Sequence, residues 1–447
     1  MLGSRIRCLL VGASAAASSK SATMAISERL IKLLGEVSAE ILQAQKPVRV
    51  IPALAWPDEI EQAFFASGAT LLPKPGYSVA PGVAESLAMF QSLAARLRGE
   101  NEIERFLRET CVAMATAARM LLAVGTKDFY YHSVELYGRP GSLSSDRNTT
   151  NLDLARHFEQ VVASFSPPLS SVDQPSYGAE EAAQVLRDRF AQFFTDHPVK
   201  VRVVDRLAAS ASSTGEEIRL KYDARFSQRD LRQLEYHEGQ VHMATTLNGR
   251  AQPVLPFVGV ASPRTTRTQE GLAVLTEFIT GSTSLSRVRR LCERTLAIHL
   301  AEEGASFVDV YRFYRDRGSD EHTAFDCARR VMRGGLVEGG APFTKDCCYL
   351  DGLLRVTNFL RIALVKGQSQ MVRLLFAGKL AVDDIPLFDR LAREGLVSEP
   401  LYLPKWAKDL SYLTAFMSYT AFLGRSQLAS EERRLEDQIA RAEAGME

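Results

Sequence analysis

Three residues in the segment YHEGQVH could do chemistry together: His237, Glu238 and His242. Two imidazoles and a carboxylate this close in sequence are the parts of a metal-assisted hydrolase. In the familiar zinc-protease pattern H-E-x-x-H, the i, i+4 spacing sets both imidazoles on one helix face. Here the pattern is H-E-x-x-x-H. On an ideal helix, i, i+5 turns the two side chains roughly 140° apart. Both reach one metal only if the helix carries an extra residue, for instance as a π-type bulge, a feature that often marks functional sites. Gly239 sits just inside the motif, where it eases such a distortion. The alternative is a surface helix that carries two histidines among many charges.

A catalytic zinc takes a third protein ligand and keeps a position open for water. Glu270, 28 residues after His242, stands in the first turn of the helical pattern TQEGLAVLTEF. Glu277, seven residues later on the same face, is the second candidate. Two histidines on one helix and a glutamate on the next make a His2Glu site. Glu238 adjoins the first histidine. Pointed at a metal-bound water, it would take that water's proton and pass it to a leaving amine.

The elements that must position these residues are mostly helical. Leu30, Leu33, Leu34, Val37, Ile41 and Leu42 recur at helix spacing within 24–44. Pro47, Pro52, Pro73, Pro75 and Pro81 then mark a linker-like zone. Helical patterns return at 84–124, 151–165 and 178–194, with a turn at YGRPGSLSSD, and run from 284 to about 425. VKVRVV (199–204) and IRLKY (218–222) alternate with period two and predict two strands of a small sheet. Ser227, with Asp230 three residues on, predicts the N-cap of the helix that carries the histidines, and Asn248-Gly249 its end. The expected fold class is mainly α with a small β-sheet (α+β). The expected organisation is an extension at 1–23, a helical region at 24–195, a catalytic region at 196–425 and a charged helix at 426–447.

Composition narrows the class. With 46% hydrophobic and 24% charged residues, the chain is an ordinary globular protein rather than a disordered or fibrous one. Its 54 basic and 53 acidic residues lack the basic surplus of a nucleic-acid binder. No apolar run reaches the ~18 residues of a membrane-spanning helix, so neither nucleic acid nor membrane is an expected partner. Cys8, Cys111, Cys292, Cys327, Cys347 and Cys348 form no C-x-x-C pair and read as mostly buried free thiols of a reducing, cytoplasmic compartment. Residues 1–23 hold Arg5, Arg7 and Lys20 and no acid; they read as an extension ahead of Met24, with a targeting segment as the alternative. Ser430–Glu447 reads as a solvated helix.

The segments HEGQVH, TQEGLA and RGGLVEGGAPFTKDCCYLDGLL resemble the H-E-x-x-x-H, Q-E-G-L and F-T-K-D-x-x-Y-x-x-G motifs of the DUF1704 family. Its bacterial members are called flavohemoglobin expression-modulating QEGLNM proteins, and its animal relatives are the microtubule-associated tyrosine carboxypeptidases. HSVELYGRP (132–140) is similar to the family's S-x-x-x-Y-G-x-P element. The resemblance covers about residues 45–425. Ala273-Val274 stands where Asn-Met completes the bacterial label, which leaves Glu270 untouched. The resemblance implies zinc ligands at His237, His242 and Glu270 and a catalytic role for Glu238. It implies Zn2+ as cofactor and a zincin-like (gluzincin) metallopeptidase core, with the small sheet beside a distorted active helix. The edge strand of such a sheet can hold a substrate backbone by β-addition. The animal relatives imply a carboxypeptidase that removes a C-terminal, aromatic residue from a peptide or protein.

Such an enzyme must neutralise a terminal carboxylate, for which Arg offers a bidentate clamp and Lys a point contact. Lys345, inside FTKD, is the first candidate, Arg333 the second, and Arg330 stands beside them. The structural alternative is ion pairing, for instance with Asp346. Tyr349 could donate its hydroxyl to a developing oxyanion, or serve as a core tyrosine. Cys347-Cys348 reads as packing, and His132, beside Tyr130 and Tyr131, as a neighbour of the pocket. Two other readings compete: a zinc endopeptidase or amidase, and a non-catalytic metal-binding regulator. Glu238 argues against the regulator, because a purely structural site has no need of a base beside its ligand.

Overall fold

Leu34, Val37, Ile41 and Ala44 bury one face of α1, Glu28–Ala44, as their spacing predicts. The structure, a computed structural model, describes residues 28–144, 147–164, 174–205, 207 and 210–423. The expected extension at 1–23 and the charged helix at 426–447 lie outside the described residues. Among the described residues, no helix is long and apolar enough to cross a membrane.

The described residues are mainly helical with one small sheet. The helices that position the site are α2 (Glu102–Leu122), α3 (Lys127–Tyr137) and α4 (Ala179–Phe193), ahead of the sheet. After it come α5 (Gln228–Gln233), α6 (Ala244–Arg250), α7 (Pro263–Ile279), α8 (Leu285–Glu302), α9 (Glu321–Met332) and α10 (Cys348–Val365). The largest core cluster joins Leu34 of α1 and Leu107 of α2 to Leu272 of α7 and Leu360 of α10, so helices before and after the sheet share one interior.

The sheet has three strands rather than two: β1 (Lys200–Val204), β2 (Ala211–Thr214) and β3 (Glu217–Lys221), in the order β1-β3-β2. β3 runs parallel to β1 and antiparallel to β2. Ile218 and Leu220 of β3 are fully buried against Leu186 and Phe190 of α4 and against Leu231 and Met243 of the active helix. One face of the sheet therefore packs on α4 and on the helix that carries the histidines, with β2 as one edge.

That helix starts where Ser227 and Asp230 form a capping box. α5 then passes without a break into a π-helix, Leu234–Met243, and that into α6. It ends at Arg250, next to the expected Asn248-Gly249, and both of those residues also serve tertiary contacts. Asn248 is buried and donates to the carbonyls of Phe376 and Tyr402 at 2.8 and 2.7 Å. A methyl at Gly249 would strike the backbone of Gly259. α7 begins at Pro263 behind the N-cap Ser262, so Glu270 lies about two turns into the helix rather than in its first turn.

Candidate active site

The π-helix answers the spacing problem directly. Bonding from i to i+5 brings residues five apart onto one face, where an α-helix would turn them away from each other. His237 and His242 face each other with ring centroids 4.9 Å apart. Gly239, between them, lets the ring of Phe190 press against the helix backbone; a methyl there would overlap the ring.

α7 crosses beside this helix and presents Glu270. Its Oε2 lies 3.7 Å from His237 Nε2 and 3.7 Å from His242 Nε2. One ligating atom from each of the three residues falls within 4.8 Å of the other two. Among the described residues this is the one group of three so arranged. The crossing is close because Gly271 of α7 meets Gly352 of α10, and a methyl at Gly271 would fall on the Gly352 carbonyl. α10 thereby fixes the depth at which Glu270 sits.

Each of the three has a neighbour behind it. Glu277 accepts from His237 Nδ1 at 2.7 Å and is itself held by Arg287 of α8 at 3.0 and 3.2 Å. Gln269 Oε1 lies 3.3 Å from His242 Nδ1. Lys345 Nζ donates to Glu270 Oε1 at 2.9 Å, leaving Oε2 toward the histidines. Both imidazoles thus turn Nε2 toward Glu270. Such backing fixes the ring orientation of a metal-binding histidine. The donor set, two imidazoles and a carboxylate, and its backing are of the kind that fits a zinc ion.

Electrostatics tighten the group. Burial opposes the charge on His237, yet Glu270, Glu277 and Glu238 outweigh it and raise the imidazole to about 10. Burial likewise opposes the Glu270 carboxylate, but Lys345 and the two histidines hold it well below the usual range. Glu277 is brought down to about 2 against its burial, chiefly by Arg287.

Glu238 points to the same side as the cluster, its Oε1 3.9 Å from His237 Nε2. Its other oxygen accepts from the hydroxyl of Ser213 on β2, so the edge strand holds the carboxylate in place. Neither β2 nor Ser213 was legible in the sequence, since ASST has no apolar alternation.

The expected substrate-side residues sit around FTKD, which Thr344 ties to α3: its N–H donates to Ser133 Oγ at 2.9 Å. The S-x-x-x-Y element therefore supports the third motif. Lys345 is engaged by Glu270. Arg330 makes two 2.9 Å bonds to Asp346, whose carboxyl it holds far below the usual range despite burial. Arg333 differs: its Nε is buried with no partner among the described residues, and the guanidinium lies 5.8 Å from the Phe343 ring centroid. Burial first, and the Arg330 charge next, push it down to about 10. Tyr349 is buried, with the cations of Arg294, Lys345 and Arg287 at 5.1, 5.6 and 5.9 Å from its ring centroid. Cys347 and Cys348 are buried free thiols, raised by desolvation. His132 lies 3.8 Å from Glu135.

Sequence reasoning missed Lys379. It is drawn in from the FAGKL segment, with Nζ 3.1 Å from the His242 carbonyl and 3.3 Å from Gln269 Oε1. Burial pulls it down to about 8, against the pull of Glu270 and Glu238.

A mainly helical α+β protein with a His-His-Glu cluster on adjacent helices is the class that fold and site define. The chain matches the profile of the microtubule-associated tyrosine carboxypeptidase family over residues 62–425 and belongs to that family. It is a peptidase family with carboxypeptidase-like activity. A search of curated proteins finds no matching relative.

Proposed function

We propose that this protein is a zinc-dependent carboxypeptidase that releases the C-terminal residue of a peptide or protein. The observation that carries the reading is the convergence of His237 Nε2, His242 Nε2 and Glu270 Oε2, with the far side of each residue held by a separate partner. These three would hold zinc, which supplies a Lewis acid and lowers the pKa of bound water. Glu238, steadied by Ser213, takes a proton from the attacking water at its free oxygen and hands it to the leaving amine nitrogen. Tyr349, whose ring is surrounded by Arg287, Arg294 and Lys345, is the candidate to donate to the developing oxyanion.

Among the three cations named from sequence, Arg333 best suits the terminal carboxylate. Lys345 already serves Glu270 and Arg330 already serves Asp346, whereas Arg333 has an unpaired buried donor. A carboxylate would satisfy that donor and compensate its charge. An aromatic terminal residue, tyrosine foremost, is the preference that the family description supports. Edge strand β2, next to Glu238, would pair with the substrate backbone.

The test is zinc content together with hydrolysis of a C-terminally labelled peptide library, for wild type, Glu238→Gln and His242→Ala. Wild type should hold about one zinc and release terminal residues. Glu238→Gln should keep zinc and lose turnover, and His242→Ala should lose zinc. Wild type without zinc, or Glu238→Gln with full turnover, overturns the proposal and favours a regulator.

A further inference from the structure

Lys379 follows the short helix Ser369–Leu374, outside every motif noted in the sequence. Its backbone N–H donates to the Val258 carbonyl at 2.6 Å, which pins the chain there. Its Nζ reaches two acceptors: the His242 carbonyl at 3.1 Å and Gln269 Oε1 at 3.3 Å. The same Gln269 oxygen lies 3.3 Å from His242 Nδ1 and accepts from Thr245 Oγ1 at 2.9 Å. Gln269 Nε2, in contrast, is buried with no partner among the described residues. The two ends of this amide therefore stand in very unequal surroundings, and a buried orphan donor is costly.

An amide can turn over and exchange its oxygen for its nitrogen. Turned over, Gln269 Nε2 could donate to Thr245 Oγ1 and to an unprotonated His242 Nδ1. Lys379 opposes that arrangement. An ammonium has three donors and no acceptor, so it meets the amide oxygen favourably and the amide nitrogen only as a clash of donors.

We propose that Lys379 sets the tautomer of His242 through Gln269. With Oε1 facing the imidazole, Nδ1 must carry the proton, and Nε2 is left bare toward Glu270. A bare ring nitrogen is what a metal takes. With the amide reversed, the proton would sit on Nε2 and block that position. His237 needs no such device, because the Glu277 carboxylate presents an acceptor whichever way it turns. Lys379 is thus a positioning residue, acting on the site through one amide.

The inference rests on the zinc reading of this site, and its test separates the two. Zinc affinity is measured by chelator competition for wild type, Lys379→Met, Gln269→Glu and the double variant, with melting curves to check folding. A carboxylate offers oxygen both ways round, so with Gln269→Glu the lysine is no longer needed to choose. Lys379→Met alone should weaken zinc binding about 10–100-fold. In the Gln269→Glu background the same change should cost only about twofold. Equal losses in the two backgrounds, or no loss in either, overturn the inference. Should Lys379→Met fail to fold, Lys379→Gln replaces it, since an amide there can accept as well as donate and no longer selects. Histidine-selective nitrogen NMR of the metal-free protein near pH 7, where Lys379 keeps its charge, reads the tautomer itself. His242 should carry its proton on Nδ1 in wild type and shift toward Nε2 in Lys379→Met; an unchanged tautomer overturns the inference. That comparison decides the role of Lys379 even if wild type takes up no zinc, an outcome that sinks the zinc reading alone.

Discussion

His237 Nδ1 lies 2.7 Å from Glu277 Oε1, in a pocket where Glu277 is fully buried. The same oxygen also accepts from Arg287 at 3.0 Å and from Gln233 at 3.3 Å. Glu277 therefore stands behind the ring of His237 and never reaches its Nε2 face, where Glu270 sits. Two glutamates seven residues apart on one helix address the two nitrogens of one imidazole.

Glu277→Gln tests that arrangement. The amide can turn its nitrogen toward His237 and admit the wrong tautomer. Zinc affinity in a chelator competition should fall about 10–100-fold. An affinity equal to wild type would mean that the ring is oriented by packing alone.

Acid stability follows from the same pair. The folded-state value of Glu277, about 2, lies below its unfolded value near 4.5. Its contribution is therefore complete above pH 4.5 and is lost as pH falls through that value toward 2. Asp346, held low by Arg330 and Arg294 against its burial, acts in the same direction. Denaturant midpoints recorded against pH should drop across this window, and the drop should be smaller in Glu277→Gln. An identical profile in the two proteins would contradict the assignment.

Gly271→Ala should be among the most damaging single-methyl changes in the chain. The added carbon would fall on the Gly352 carbonyl, so α7 and α10 must separate. The expected cost is about 1–3 kcal/mol by chemical denaturation, with weaker zinc binding because Glu270 moves with the helix. Gly281→Ala is not a suitable control, since its φ of +63° strains any side chain; Gly35→Ala, with open space around it, is.

Arg333→Met should separate function from stability. Burial, and the Arg330 charge after it, outweigh the pull of Asp346 and depress the guanidinium to about 10. Its removal should leave melting unchanged or raise it. If Arg333 holds the terminal carboxylate, kcat/KM for a peptide substrate should fall about 10–100-fold, mainly through KM. A large loss of stability, or unchanged kinetics, would assign the residue to the fold instead.

Local spacing made much of the site legible. H-E-x-x-x-H required an extra residue in its helix, and the π-helix Leu234–Met243 supplies it. Ser227 and Asp230 marked the start of that helix because a capping box acts over three residues. The strands at 200–204 and 217–221 showed their period-two alternation, whereas β2, four small polar residues, became a strand only by pairing with β3.

Which side chain answers which was decided elsewhere. Glu270 and Glu277 share a helix face, so their spacing left both as candidates; the depth of the α7–α10 crossing at Gly271 and Gly352 assigned them to opposite nitrogens of His237. Lys345 and Arg330, open to a substrate carboxylate or to an ion pair in a linear reading, are paired across 75 and 16 residues. Ser213 and Lys379 carry no signal at all until the sheet edge and a distant loop bring them to Glu238 and Gln269. By itself the sequence determined which chemical groups are present and the helical period on which they stand, because propensity and capping act within a few residues. Tertiary structure alone decided their partners, because those depend on how closely elements far apart in the chain can approach.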